Sequence, residues 1–258
     1  MQLTSRFKIK NISNIIDFLD KIHVGRLATI DRNGYPQVIP MNFVHLTTSN
    51  LDNKHTDIRN GIKKFQEWTN NDYIDNIKSN PEVTDRTHGQ KYSHIIYMHS
   101  HHKGEKIDNL LRNTKVGFEV DKEICFLPSY YYHPTDASFA DTLYTSIVIK
   151  GKASIVYDNK EKAIAMNKMM RKYQSEGGYT ELTQESKSII YLTVIKINVE
   201  TIEGKYKIGQ EWTSSFKKGI ANKIIEREGI NKAREILKDM KINILENGEL
   251  ELPISISM

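Results

Sequence analysis

Ser100 and Lys106 stand either side of a short glycine-containing turn, Ser100 to Gly104, where an apolar run gives way to a helix. A hydroxyl, turn amides and a helix N-terminus all favour an anion, and a lysine ammonium adds a full charge. The chemistry on offer is capture of an anion. Taken alone, the segment reads more readily as a capped helix start with a solvated lysine. His99, His101 and His102 share this stretch, and His99 and His101 would lie on one side of an extended strand as two metal ligands. No third ligand has matching spacing, although His45, His94 and His133 exist, so no metal site is expected. Tyr130-Tyr131-Tyr132-His133-Pro134 is an aromatic loop that fits a pocket lining and a barrel closure equally well. Cys125, the single cysteine, falls on an expected strand and reads as an apolar core residue rather than a nucleophile. No acid–base constellation stands out, so no catalytic residue is assigned.

These residues need elements to hold them. Ile12 to Ile22 reads as a helix, with Ser13 as N-cap and Ile15, Ile16, Leu19 and Ile22 as its apolar stripe. His23 to Ile30 and Pro36 to Leu46 read as a hairpin around Asp31-Arg32-Asn33-Gly34, because Asn-Gly accepts positive φ. Pro40 inside the second strand implies an edge or a bulge. Residues 47–93 read as a polar insertion, helical in part over 58–68 and 73–77. His94 to His99 is a strand, and Glu105 to Leu111 a helix with Ile107, Leu110 and Leu111 inward. Lys115 to Asp121, Glu123 to Leu127, Tyr144 to Tyr157 and Ile189 to Glu203 are strand candidates, with Gly151 marking a bend or bulge. Asn159 to Tyr173 is a helix. Phe216 to Met240 is helical with a break near Gly229, and a last strand is expected within Glu249 to Ser257. Many strands with few, short helices fit a mainly β, α+β architecture, a closed or half-closed antiparallel barrel with peripheral helices.

The bulk numbers exclude several classes. With 258 residues and 38% hydrophobic content the chain can bury a core, so global disorder is not expected. The net charge of +5 is spread among mixed signs, which reads as a solvated surface; nucleic-acid binding is not expected. One cysteine permits no internal disulfide and fits a reducing compartment. No stretch approaches the roughly 20 apolar residues of a membrane span. The expected location is cytoplasmic, with no membrane partner.

Several segments, in order, resemble the FMN-binding split β-barrel superfamily, closest to the nitroimidazole-resistance-like branch of the pyridoxamine 5′-phosphate oxidase-like proteins. Gly25-Arg26-Leu27-Ala28-Thr29, then Asp31, Gly34, Pro36 and Val38-Ile39-Pro40-Met41, is similar to that family's opening hairpin. Ile96 to Ser100 and Gly104 to Leu110 resemble its "HS…GxK…L" turn and helix. Asn113 to Val120 resembles "NP-x-V-x-F-x-V", with Thr114 in place of the proline. Tyr144 to Ala153, followed by Glu161 to Ala163, is a fourth match. Gly204 to Gln210 is a weaker fifth, similar to a "GKxKLSQ" element of related flavin-binding regulators. The matches span about residues 12 to 212; the insertion at 47–93 and the tail at 213–258 depart from the pattern.

The resemblance implies an FMN-binding split-barrel domain over 1–212, with a helical and strand extension over 213–258 packed on it. It implies FMN as cofactor, with Ser100 and Lys106 on the phosphate and His99 just before them. It implies Ile39, Pro40, Met41 and Asn42 along the ring, where side-chain contact and plain core packing fit equally well for Ile39 and Met41. Ser146 matches a polar position near phosphate or ring. Trp212 would cover the cofactor from the partner subunit of a homodimer. The implied activity is an NAD(P)H-linked oxidoreductase or flavin-dependent reductase acting on a small acceptor. The alternatives are a flavin-binding sensor without turnover, and the same fold holding haem or a deazaflavin.

Overall fold

A computed structural model describes residues 5–48, 83–84 and 91–252. Almost all of the insertion expected at 47–93, with both helices expected inside it, lies outside these residues, as does the end of the chain after 252. The chain divides into two compact units. The larger comprises residues 11–120 and 147–203, and the smaller comprises 1–10, 121–146 and 204–258.

In the larger unit, α1 (Ile12–Lys21) buries Ile15 and Leu19. Its cap is Asn11, not Ser13: the Asn11 carboxamide oxygen accepts from the Ser13 amide at 2.9 Å and its hydroxyl at 2.7 Å. Asn caps as well as Ser, and here it stands two residues earlier. The hairpin forms as expected from β1 (Val24–Ile30) and β2 (Pro36–Thr47). Asp31 Oδ1 accepts from the amides of Asn33 and Tyr35, both at 2.8 Å, and Gly34 takes φ 88°. Pro40 sits in uninterrupted register opposite Arg26, so there is no bulge; the edge alternative holds, because β2 pairs on its other side only from Phe43 onward.

Two short strands, β3 (Val83–Thr84) and β4 (Lys91–Tyr92), pair antiparallel. Next come β5 (His94–Ser100), the helix α2 (Glu105–Arg112), β6 (Lys115–Leu127), β7 (Asp141–Val156), α3 (Asn159–Tyr173), α4 (Lys187–Tyr191) and β8 (Thr193–Lys207). Six strands close a barrel in the order β1-β2-β5-β8-β7-β6. Leu27, Phe43, Ile96, Met98, Phe118, Ile147, Ile149, Ile195 and Ile197 are fully buried. Two glycines permit close approach. A Cβ on Gly25 would lie 2.2 Å from the Phe118 ring, and one on Gly151 only 2.3 Å from the Asn198 carbonyl oxygen. Gly151 therefore marks a tight strand contact inside β7.

Three expectations change. The two strands expected over 115–127 are one, β6. Ile189 and Ile190, expected as strand, are helical in α4. Their amides bond the Ser186 carbonyl at 2.9 and 3.1 Å, and Ile189 is buried among Val156, Met166 and Val194, so packing overrides a β-branched pair's preference. Leu111, expected inward on α2, is 68% exposed; Asn109 takes an inward place instead.

The smaller unit gathers Cys125, Leu127, Leu143, Ile220, Ile224, Leu237 and Met240 into its core. The helices α5 (Ser214–Glu228) and α6 (Ile230–Asp239) break at Gly229, φ 78°, as the sequence predicted. The terminal strand is short: β9 (Asn243–Ile244) pairs with β10 (Leu250–Glu251). No described helix is long and apolar enough to cross a membrane.

Candidate functional site

The barrel opens between β2 and β5. Their ladder runs from Thr47–His94 to Phe43–Met98 and stops. Continued, its register would pair Asn42 with His99 and Met41 with Ser100. Instead β2 stays bonded to β1 as far as Pro36, and β5 stays bonded to β8 as far as Ser100–Thr193. The strands thus keep their outer partners and part from each other. Main-chain groups of residues 39–42 and 99–100 along the opening are left without ladder partners, and such groups seek others. Met41 is buried here, Ile39 and Ser100 are half-buried, and Pro40, Asn42 and His99 are exposed.

Helix α2 reaches the same region. Gly104 begins it with φ 131°, and no side chain caps its first turn, whereas Asn11, Asp158 and Thr213 cap α1, α3 and α5. Ser100 is thus the last residue of β5 and not the helix cap. The Lys106 ammonium lies 3.4 Å from the Met41 thioether sulfur. Burial lowers its pKa from the usual lysine value, and among the described residues no carboxylate pairs with it. A half-buried cation with only a weak acceptor beside it is poised for an anion.

A polar network seats this helix on the hairpin. Asn109, only 1% exposed, donates to Thr29 Oγ1 at 3.1 Å and to Gln37 Oε1 at 3.2 Å, and accepts from Arg112 at 2.6 Å. Gln37 in turn donates to Glu105 at 2.5 Å. Glu105 is the one carboxylate next to Lys106 in sequence, and that bond engages it. Sequence reasoning missed Asn109, Thr29 and Gln37. Strand phase held a signal: Gly25, Leu27 and Thr29 share one face of β1, and a threonine in that inward row needs a partner.

The other expected residues are placed as follows. Ser146 and Trp212 belong to the smaller unit. Ser146 is half-buried on β7. Trp212 is half-buried against that unit's core, its ring so close to Gly209 that a Cβ there would lie 2.2 Å away, and edge-on to Phe216 at 5.3 Å. The His101 and His102 rings lie tilted against each other, centres 4.3 Å apart, in the exposed turn. His45 and His94, at the far end of β5 from His99, form a buried pair with nitrogens 2.9 Å apart. Burial first, then His94 and Lys172, push the His45 pKa down to about 3. Among the described residues no group of three metal-capable side chains forms.

Residues 83–206 match a family model described as pyridoxamine 5′-phosphate oxidase. The chain is similar in fold to a candidate 5-nitroimidazole antibiotic resistance protein from Bacteroides thetaiotaomicron, with 18% identity, TM-score 0.49, and coverage of 77% of this chain and 85% of that one. It is similar to a flavocytochrome from Azotobacter vinelandii, with 12% identity, TM-score 0.49, and coverage of 78% and 69%. It is also similar to an FAD and haem binding protein from Mycobacterium smegmatis, with 11% identity, TM-score 0.49, and coverage of 78% and 73%. No curated protein matches the chain.

Proposed function

We propose that this chain, whose residues 83–206 match a family described as pyridoxamine 5′-phosphate oxidase, is a flavoprotein whose cofactor is FMN. The observation that carries this reading is Lys106: a half-buried ammonium with no carboxylate partner among the described residues, beside a helix start that no side chain caps. Lys106, Ser100 and the first-turn amides of α2 would hold the phosphate. The open main chain of 39–42 would meet the polar edge of the ring, while Ile39 and Met41 exclude water from its face. Glu105 is the feature that opposes an anion, and its bond to Gln37 keeps it engaged.

A bound flavin supplies one- and two-electron redox chemistry, and the protein's own part is to bind, orient and tune it. The reading is an NAD(P)H-linked reductase acting on a small acceptor. Asn109, through Thr29 and Gln37, fixes how α2 presents Lys106. The same reading includes a homodimer. The outward face of β1 and β2 carries Val24, Ile30, Pro36, Val38 and Pro40 exposed, where a solvent-facing antiparallel sheet carries polar residues.

The test is the purified protein's absorbance and its turnover. Flavin absorbance that disappears in a Lys106→Met, Ser100→Ala double variant of unchanged far-ultraviolet circular dichroism supports the assignment. Undiminished flavin in that variant refutes it. Oxidation of NADH or NADPH with an electron acceptor separates the reductase from a sensor that holds flavin without turnover. Light scattering of the wild type and Val38→Lys tests the dimer; two monomers, or two identical dimers, would contradict the proposed face.

A further inference from the structure

The smaller unit holds a second unbalanced cationic cluster. An isolated antiparallel bridge sets Lys8 directly opposite Lys205 on β8. Backbone bonds hold this arrangement: the Ile9 amide donates to the Gly204 carbonyl at 2.8 Å, and the Gln210 carboxamide donates to the Arg6 carbonyl at 3.1 Å. Like charges directly across a strand pair oppose folding. The neighbouring Lys207 is paired with Asp141. Lys205 instead donates to the Tyr144 phenol at 2.6 Å, and among the described residues no carboxylate pairs with Arg6, Lys8 or Lys205.

Two aromatic rings flank these cations. The Arg6 guanidinium lies 4.7 Å and the Lys205 ammonium 5.7 Å from the centre of the Phe7 ring, and Lys205 is 5.0 Å from that of Tyr144. Cations beside rings suit a ligand that joins phosphate charge to a flat base. The footprint is small. Three cations neutralise about three phosphates at most, fewer than the roughly 6–10 contacts of a protein that grips DNA by its backbone. We infer that Arg6, Lys8 and Lys205, with Phe7 and Tyr144, form a binding site for a mononucleotide, phosphate on the cations and base against a ring. This site rests on residues apart from those assigned to the flavin, and does not depend on that reading.

The test is calorimetric titration of the full-length purified chain with ADP, inorganic pyrophosphate and a single-stranded oligonucleotide, in wild type, Lys8→Gln and Lys205→Met. ADP is expected to bind, more tightly than pyrophosphate, and each substitution to weaken it about tenfold, the loss of one charge-assisted contact. Without ligand, Lys8→Gln should raise the melting temperature by relieving the Lys8–Lys205 repulsion; with ADP the wild type should become the more stable. Absence of ADP binding, or binding that neither substitution weakens, overturns the site. Equal affinity for pyrophosphate and ADP overturns the base contact, and tighter binding of the oligonucleotide overturns the mononucleotide. Flavin content should be unchanged in Lys8→Gln and Lys205→Met, and ADP affinity unchanged in the Lys106→Met, Ser100→Ala variant, so the two proposals fail separately.

Discussion

Two lysines of the larger unit are partly withdrawn from water, and they do opposite jobs. Lys172, near the end of α3, donates to the Leu19 carbonyl at 2.8 Å and the Phe43 carbonyl at 3.1 Å, and lies 3.7 Å over the Phe43 ring. Beside it the Tyr173 hydroxyl accepts from the Phe43 amide at 2.9 Å and donates to the His23 carbonyl. These groups serve the main chain where α1 ends and the β1–β2 ladder stops. Lys106 has one thioether and nothing stronger. Burial lowers both pKa values, that of Lys172 to about 8 against the pull of Asp20. Burial alone therefore does not mark a functional lysine. The informative difference is whether the fold has already used the donors.

The largest break in that comparison comes from Lys172→Met. It keeps the apolar stem but takes the side-chain donor from the Leu19 carbonyl and leaves the Phe43 carbonyl with the Tyr173 hydroxyl at 3.2 Å, at about 1–3 kcal/mol for the lost donor less the relieved desolvation of the charge. A net loss of about 1–3 kcal/mol in urea unfolding is expected, with flavin content per folded molecule unchanged. A loss below half a kcal/mol would show that Lys172 is a bystander.

Acid should weaken the same end of the barrel. His45 stays neutral in the fold down to about pH 3, whereas its ordinary pKa is 6.5. Between those values the unfolded chain takes up a proton that the folded chain refuses. The contribution is therefore fully present above pH 6.5 and is lost as pH falls towards 3, at about 1.4 kcal/mol per pH unit. Urea midpoints at neutral and mildly acid pH should show the slope, and His45→Gln should flatten it. An equal slope in both proteins would assign the acid sensitivity to other groups.

Lys106→Met gives the reverse pattern from Lys172→Met. Flavin affinity should fall by about 10- to 100-fold, equivalent to 1.5–3 kcal/mol for a charge-assisted bond. Stability of the flavin-free chain should stay level or rise, because no donor in the fold is lost and a half-buried charge is removed.

How far the sequence disclosed this depends on which residues are asked. The places of Ser100 at a strand end and of Gly104 and Lys106 at a helix start were legible because these are local signals. The hairpin and the break at Gly229 were legible for the same reason. The parting of β2 from β5 was not. It is a matter of register between strands some fifty residues apart in the chain, and only Pro40 hinted that a partner was missing. Asn109 was hidden because helical phase rewards apolar residues, so Leu111 looked inward and a buried carboxamide did not. Ile189 and Ile190 misled for the complementary reason, since β-branched residues describe a strand until a neighbouring helix claims them.

The smallest and sharpest test concerns Glu105, which sits one residue from Lys106 at the helix start. A carboxylate there stabilises the helix by about 0.3–1 kcal/mol through the helix dipole, and opposes an incoming anion by a similar amount. Glu105→Gln keeps the shape and a hydrogen-bonding end for Gln37 while removing the charge. The two consequences have opposite signs. Thermal stability of the flavin-free chain should fall slightly, and flavin affinity should rise by about 2- to 5-fold. A structural pairing of Glu105 with Gln37 would lower both together. A rise in affinity against a fall in stability is the signature of a phosphate held at this helix end.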